Sequence, residues 1–166
     1  MQQPQQPQRP LAPSDLDLGS LALFLGFATT TAVQEDLAAR GFGDLRMSHG
    51  YVFQHLIDAQ PTVSDLAAKL DMTQQGASKA VAELERLGYV ERIQDPLDAR
   101  IRRVTLTRRG VEAVAAARSA RAALEARLRR RSNPATFDTA RTLLADLLDE
   151  LGGTAAIQRR DVRPPR

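Results

Sequence analysis

The chain has 166 residues, of which 43% are hydrophobic and 26% charged, and its formal net charge is +3. That length suffices for one domain with its own core. The absence of cysteine excludes disulfides, thiolate metal sites and cysteine redox chemistry, and no apolar run is long enough to cross a membrane.

Charge is unevenly spread. Residues 11–72 carry three basic and eight acidic side chains, whereas residues 74–131 carry fourteen basic and seven acidic. The +7 of the second block points to an anionic partner on one side of the molecule. Aromatics make up only 4%, so the core is expected to be mainly Leu, Val and Ala. The opening stretch MQQPQQPQRP lacks the apolar centre of a signal peptide, which predicts a cytoplasmic protein.

Residues 1–15 are rich in Gln and Pro and are expected to be disordered. The stretch GSLALFLGFATTTAVQEDLAARG reads as one long helix stopped by Gly41. A second helix is expected over DLRMSHGYVFQHLIDAQ, ended by Pro61. The segment TVSDLAAKL is a short helix capped by Thr62 or Ser64, with Val63, Leu66, Ala67 and Leu70 on one face. DMT makes a tight break before the helix TQQGASKAVAELERLG.

YVERIQ and IRRVTLT then read as two strands around the turn formers DPLDAR, a hairpin with a charged tip. Thr107 is expected to cap a long helix, RRGVEAVAAARSARAALEARLRRR, broken at Asn133-Pro134. In the last helix, ATFDTARTLLADLLDELGG, an apolar stripe runs through Phe137, Ala140, Leu144, Leu147, Leu148 and Leu151. Residues 158–166 read as a flexible tail.

A short helix, a tight break, a longer helix and a hairpin make a winged helix–turn–helix. The expected fold class is mainly α with a small β-wing. On a helical wheel of residues 74–88, Ala77, Val81, Leu84 and Gly88 share one face. Gln75, Ser78, Lys79, Ala82 and Arg86 point the other way. Such a helix suits the DNA major groove, where Gln can pair with adenine and Lys can reach guanine or phosphate. Each good bidentate contact discriminates by roughly 1–3 kcal/mol. The predicted DNA-contact set is Thr73, Gln74, Gln75, Ser78, Lys79 and Arg86 on the helix pair and Arg102 on the hairpin. Arg102 and Arg103 alternate faces of their strand, so at most one of them is expected to meet phosphate.

Residues 62–110 resemble the core of the multiple antibiotic resistance regulator (MarR) family. The resemblance rests on Leu-Gly-Tyr-Val-Glu-Arg at 87–92, Asp-Pro-Leu-Asp-Ala-Arg at 95–100 and Leu-Thr-Arg-Arg-Gly at 106–110. It implies a dimeric winged-helix transcription factor on double-stranded DNA, at a pseudo-palindromic operator. It also implies that Arg100 enters the minor groove with Asp98 orienting it. Many members carry arginine where this chain has Ala99.

The layout that follows is a winged helix–turn–helix over 45–110, flanked by dimerisation helices within 16–44 and 111–157. The resemblance assigns Leu21, Phe24, Leu144, Leu147, Leu148 and Leu151 to a dimer interface. The other reading is that these stripes close the monomer's own core. His49, Tyr51, Phe53 and His55 are candidates for a cleft that holds a small aromatic or anionic effector, with core packing as the alternative for each. RLRRR at 127–131 suits a helix C-terminus, where cations offset the helix dipole.

No cofactor or metal site is expected. The chain shows no Gly-rich phosphate loop, HExxH or nucleophile elbow, so an enzyme is disfavoured. The leading function is a ligand-responsive DNA-binding repressor. The alternative is a constitutive DNA-binding or architectural protein without an effector.

Overall fold

The computed structural model describes residues 11–159. The expected tails therefore lie largely outside the described residues. Of the first, residues 11–15 are seen, and Pro13–Asp15 form a single 3-10 turn. The second tail does not begin at residue 158, because Gly153–Arg159 form a helix, α7.

Helix α1 spans Leu18–Leu37 and is capped by Asp17, whose carboxylate accepts from the Ser20 N–H at 2.9 Å. The predicted stop at Gly41 holds, with φ at 86°, but the helix unwinds earlier, through a wider turn over Ala38–Phe42. Helix α2 covers only Met47–Gln54, well short of the expected end at Pro61. The chain beyond it pairs with the hairpin instead. The Val104 N–H donates to the Pro61 carbonyl at 2.9 Å, and Thr62 forms an isolated bridge with Arg103. Gln60 also precedes a proline, a position that disfavours continued helix.

Helix α3, Val63–Lys69, starts at Thr62. The Thr62 hydroxyl accepts from the Asp65 N–H at 3.1 Å, and the Asp65 carboxylate accepts from the Thr62 N–H at 2.9 Å. This reciprocal box satisfies two backbone donors at the helix start. Thr73 repeats the cap for α4, Gln74–Arg86, accepting from the Gly76 N–H at 3.1 Å. Between the two helices Asp71 takes a left-handed φ of 50°, a region that Asp tolerates better than most residues.

Strands β1, Val90–Gln94, and β2, Arg102–Leu106, pair antiparallel with Val90 opposite Leu106 and Gln94 opposite Arg102. Helices α5, Arg108–Arg131, and α6, Pro134–Glu150, follow. Thr107 caps α5 by accepting from the Gly110 N–H at 3.1 Å, and its hydroxyl donates to the Gly88 carbonyl at 2.6 Å.

The main core lies inside the winged unit. Leu45, Val52, Phe53 and Leu56 meet Leu66, Val81 and Leu84 of the helix pair and Tyr89, Val90 and Val104 of the hairpin. A smaller cluster joins Val33 and Leu37 of α1 to Ala120 of α5. The first half of α1 is different: Leu18, Leu21, Leu23, Phe24, Leu25 and Phe27 are 41–57% exposed. The α6 stripe is divided. Phe137 and Leu147 are half-buried, whereas Leu144, Leu148 and Leu151 are exposed.

Candidate nucleic-acid interface

The two faces of α4 are sharply separated. Ala77, Val81 and Leu84 are buried in the core. Gln75, Ser78, Lys79, Ala82 and Arg86 are all solvent-facing, as the wheel predicts. Gln74 is oriented differently from Gln75, because its amide donates to the Ser64 hydroxyl on α3 at 3.1 Å. Thr73 spends its hydroxyl oxygen on the cap. The free outer face of the helix therefore begins at Gln75.

The wing is organised by Asp95, a residue that sequence reasoning left out of the site. Its carboxylate accepts from the backbone N–H groups of Leu97, at 2.7 Å, and Asp98, at 3.1 Å, and pairs with the Arg103 guanidinium. The backbone hydrogen bond to Leu97, helped by Arg103, holds the Asp95 carboxyl below the usual carboxylate range. Arg103 also donates to the Gln60 carbonyl at 3.0 Å, which ties the hairpin to the chain before α3. Arg103 is thus spent on the inside of the wing, and Arg102 stays exposed, in keeping with the alternation of faces.

Asp98 and Arg100 are brought together, but through the backbone. The Asp98 carboxylate accepts from the Arg100 N–H at 2.9 Å. Arg100 itself is exposed at the tip. A signal for the role of Asp95 was present in the sequence, because Asp followed by Pro at the mouth of a turn commonly bonds the backbone two residues on.

Behind the helix–turn–helix, Tyr89 is fully buried, with its hydroxyl donating to Asp44 and accepting from Arg109 at 3.0 Å. The Arg109 guanidinium also sits 4.7 Å from the centre of the Tyr89 ring, a cation–π distance. This cluster fixes the start of β1 against α5.

A cavity of about 380 Å³ opens between α1, α2, α5 and the start of α6. Val33, Phe53 and Leu124 give it apolar walls, and Arg46, Arg121 and Glu125 supply charge. Of the four cleft candidates, Phe53 lines this space. Tyr51 is half-buried off it, and His49 and His55 are buried on the core side of α2.

His49 links α2 to α4. Its Nδ1 accepts from the Arg46 N–H at 3.2 Å, and its Nε2 lies 3.7 Å from a Glu83 carboxylate oxygen. Arg46 grips the other oxygen of Glu83. Burial lowers the His49 pKa from 6.5, and the Glu83 carboxylate works against that shift. The unfolded chain takes up a proton that the fold resists, so stability should fall as the pH drops below about 6.5. The melting temperature should decline less between pH 7.5 and 5.5 for His49→Gln than for the parent chain. Equal slopes would remove His49 as the cause.

Comparison with known proteins agrees with this geometry. Residues 44–101 match the model of the MarR family. No curated protein sequence matches the chain. Among solved structures, a point mutant of Staphylococcus aureus MepR aligns with a TM-score of 0.68 at 20% identity, covering 82% of this chain and 99% of that one. Bacillus subtilis YusO aligns at 0.66 and 20% identity, covering 82% and 94%. The S. aureus MepR–DNA complex aligns at 0.66 and 21% identity, covering 80% and 98%. The chain thus has the fold of these solved structures, and its residues 44–101 are similar to the MarR family.

Proposed function

We propose that the protein is a DNA-binding transcriptional regulator, acting as a homodimer on a pseudo-palindromic operator and released by a small aromatic or anionic effector. The observation that carries DNA binding is the split of α4: one face sealed into the core, the other presenting Gln75, Ser78, Lys79 and Arg86 to solvent. The pinned wing beside it presents Arg100 and Arg102. In this reading α4 lies in the major groove and Arg100 reaches the minor groove, where narrow A·T-rich stretches concentrate negative potential. The homodimer accounts for the exposed apolar residues of α1 and α6. A soluble monomer rarely leaves so many large apolar side chains exposed along two helices.

The cavity supports the effector. Its apolar walls and two arginines suit an aromatic carboxylate or phenolate. Helix α2 faces this cavity with Phe53, and Arg46 lines it at the helix start; Arg46 and His49 together hold Glu83 of α4. A ligand that shifted α2 would therefore shift the recognition helix. Operator titration with a panel of aromatic carboxylates tests this step. Unchanged affinity across the panel would leave a constitutive DNA-binding protein.

Selection from random duplex DNA tests the DNA reading itself. A pseudo-palindrome should emerge, with half-site centres about one turn, roughly 34–36 Å, apart or a multiple of it. Gln75→Ala and Lys79→Ala should lower affinity by about 1–3 kcal/mol each and change the selected bases. Recovery of the parent motif by both variants would show that α4 is not the reading helix.

A further inference from the structure

The residue that the DNA reading leaves unused is Leu97. It is 96% exposed, although it is a large aliphatic side chain at the tip of a rigid turn. Its backbone is held on every side. Pro96 fixes its own φ, and the Leu97 and Asp98 N–H groups both donate to Asp95. Asp95 N–H donates to the Ile101 carbonyl, and Ile101 N–H to the Asp98 carbonyl, each at 3.0 Å. These bonds hold the Leu97 backbone in the turn with its side chain facing solvent. It borders a shallow depression with Leu56 and Val111, but its near-complete exposure shows that it does not fill it.

A single exposed leucine is ordinary on a protein surface. The surroundings make this one different, because the same turn holds Arg100 at a fixed offset through its N–H bond to Asp98. A rigid tip that offers one cation and one apolar knob matches the minor groove. Its mouth is strongly negative, and its walls are sugar C–H surface with few donors. Apolar side chains entering there pry open base steps, at least cost where the step is a flexible pyrimidine–purine one.

We infer that Leu97 is a minor-groove wedge that makes the wing select a deformable TA step beside each half-site. The inference rests on the DNA-binding reading. The guanine 2-amino group projects into the minor groove and would meet the leucine, so a G·C flank is disfavoured on shape alone.

The experiment uses the full chain and the operator recovered by selection, with the flanking step as TA, as G·C pairs, or as inosine·cytosine pairs that lack the 2-amino group. The parent chain should prefer TA over G·C by about tenfold, with inosine recovering part of the loss. Leu97→Ala should keep its melting temperature and dimer mass, bind the TA operator about tenfold more weakly, and lose most of the flank preference. Leu97→Met should retain it. Arg100→Ala should weaken binding on every flank, most on the TA operator, yet keep a residual preference for TA over G·C that Leu97 supplies. If Leu97→Ala binds every flank as the parent does while Arg100→Ala is weakened, the wedge is wrong and the DNA reading stands. If the parent chain selects no sequence, both fall together.

Discussion

Leu144→Asp is expected to convert a dimer into a monomer and to abolish most specific operator binding. Leu144 is 44% exposed in the single chain, so the aspartate costs the monomer's fold little. In the proposed interface the same position is desolvated, and an unpaired carboxylate there costs several kcal/mol. Two-fold symmetry places the change in both copies, so the penalty is incurred twice per dimer. At about 1.4 kcal/mol per tenfold, the dimer constant should weaken by about 10⁴ or more. A monomer offers one α4 to an operator built for two, and affinity should drop by about 100-fold or more. Sedimentation and DNA titration read the two effects separately. A parent chain that is monomeric at micromolar concentration, or a Leu144→Asp variant that stays dimeric and binds normally, would place the seam elsewhere. Leu147 is a poorer choice for this test, because it is already half-buried within its own chain.

Gly110→Ala should be the most damaging single-methyl change in the winged unit. A Cβ at this position would lie 2.1 Å from the Tyr89 carbonyl oxygen and 3.0 Å from a Leu106 methyl. The carbonyl cannot simply move aside. It accepts the Thr107 N–H at 3.0 Å, and the Tyr89 ring below it is fully buried between Phe42 and Phe53. Relief therefore requires α5 to lift from the turn before β1, which also strains the Thr107 cap. The expected cost is about 3 kcal/mol, or about 6–12 °C in melting temperature for a chain of this length. Alanine is otherwise the better helix former, by about 1 kcal/mol over glycine. A neutral or stabilising result would mean that α5 does not pack this closely.

The close approach at Gly110 gives physical content to the Leu-Thr-Arg-Arg-Gly motif. The threonine caps α5 and holds the Gly88 carbonyl, the second arginine reaches Tyr89 and Asp44, and the glycine lets the helix touch the backbone behind β1. These contacts join residues about 20 to 65 positions apart. The motif was visible in the sequence, but what its members touch was not.

The sequence by itself determined what depends on near neighbours. The caps at Thr62 and Thr107 each act over three residues, as their spacing shows; Thr62 was one of two candidates with Ser64, and the same cap at Thr73 was read only as part of a tight break. The buried and exposed faces of α4 follow from helical periodicity alone, and the hairpin follows from turn formers between two short β-prone runs. Where partners lie far apart in the chain, only the tertiary structure decided. The chain leaves α2 at Gln54, well before Pro61, whose carbonyl is taken by β2, although the local periodicity would extend the helix. Arg103 turns inward because Asp95 and the Gln60 carbonyl wait there, while its neighbour Arg102 stays outside. The cavity is assembled from segments running from Thr29 to Phe137, so no local pattern announces it, and of the residues chosen for it from the sequence Phe53 alone lines it. Short-range hydrogen bonds and side-chain period are written locally in a chain, whereas which apolar face meets which partner is settled only when distant segments compete for the same surface.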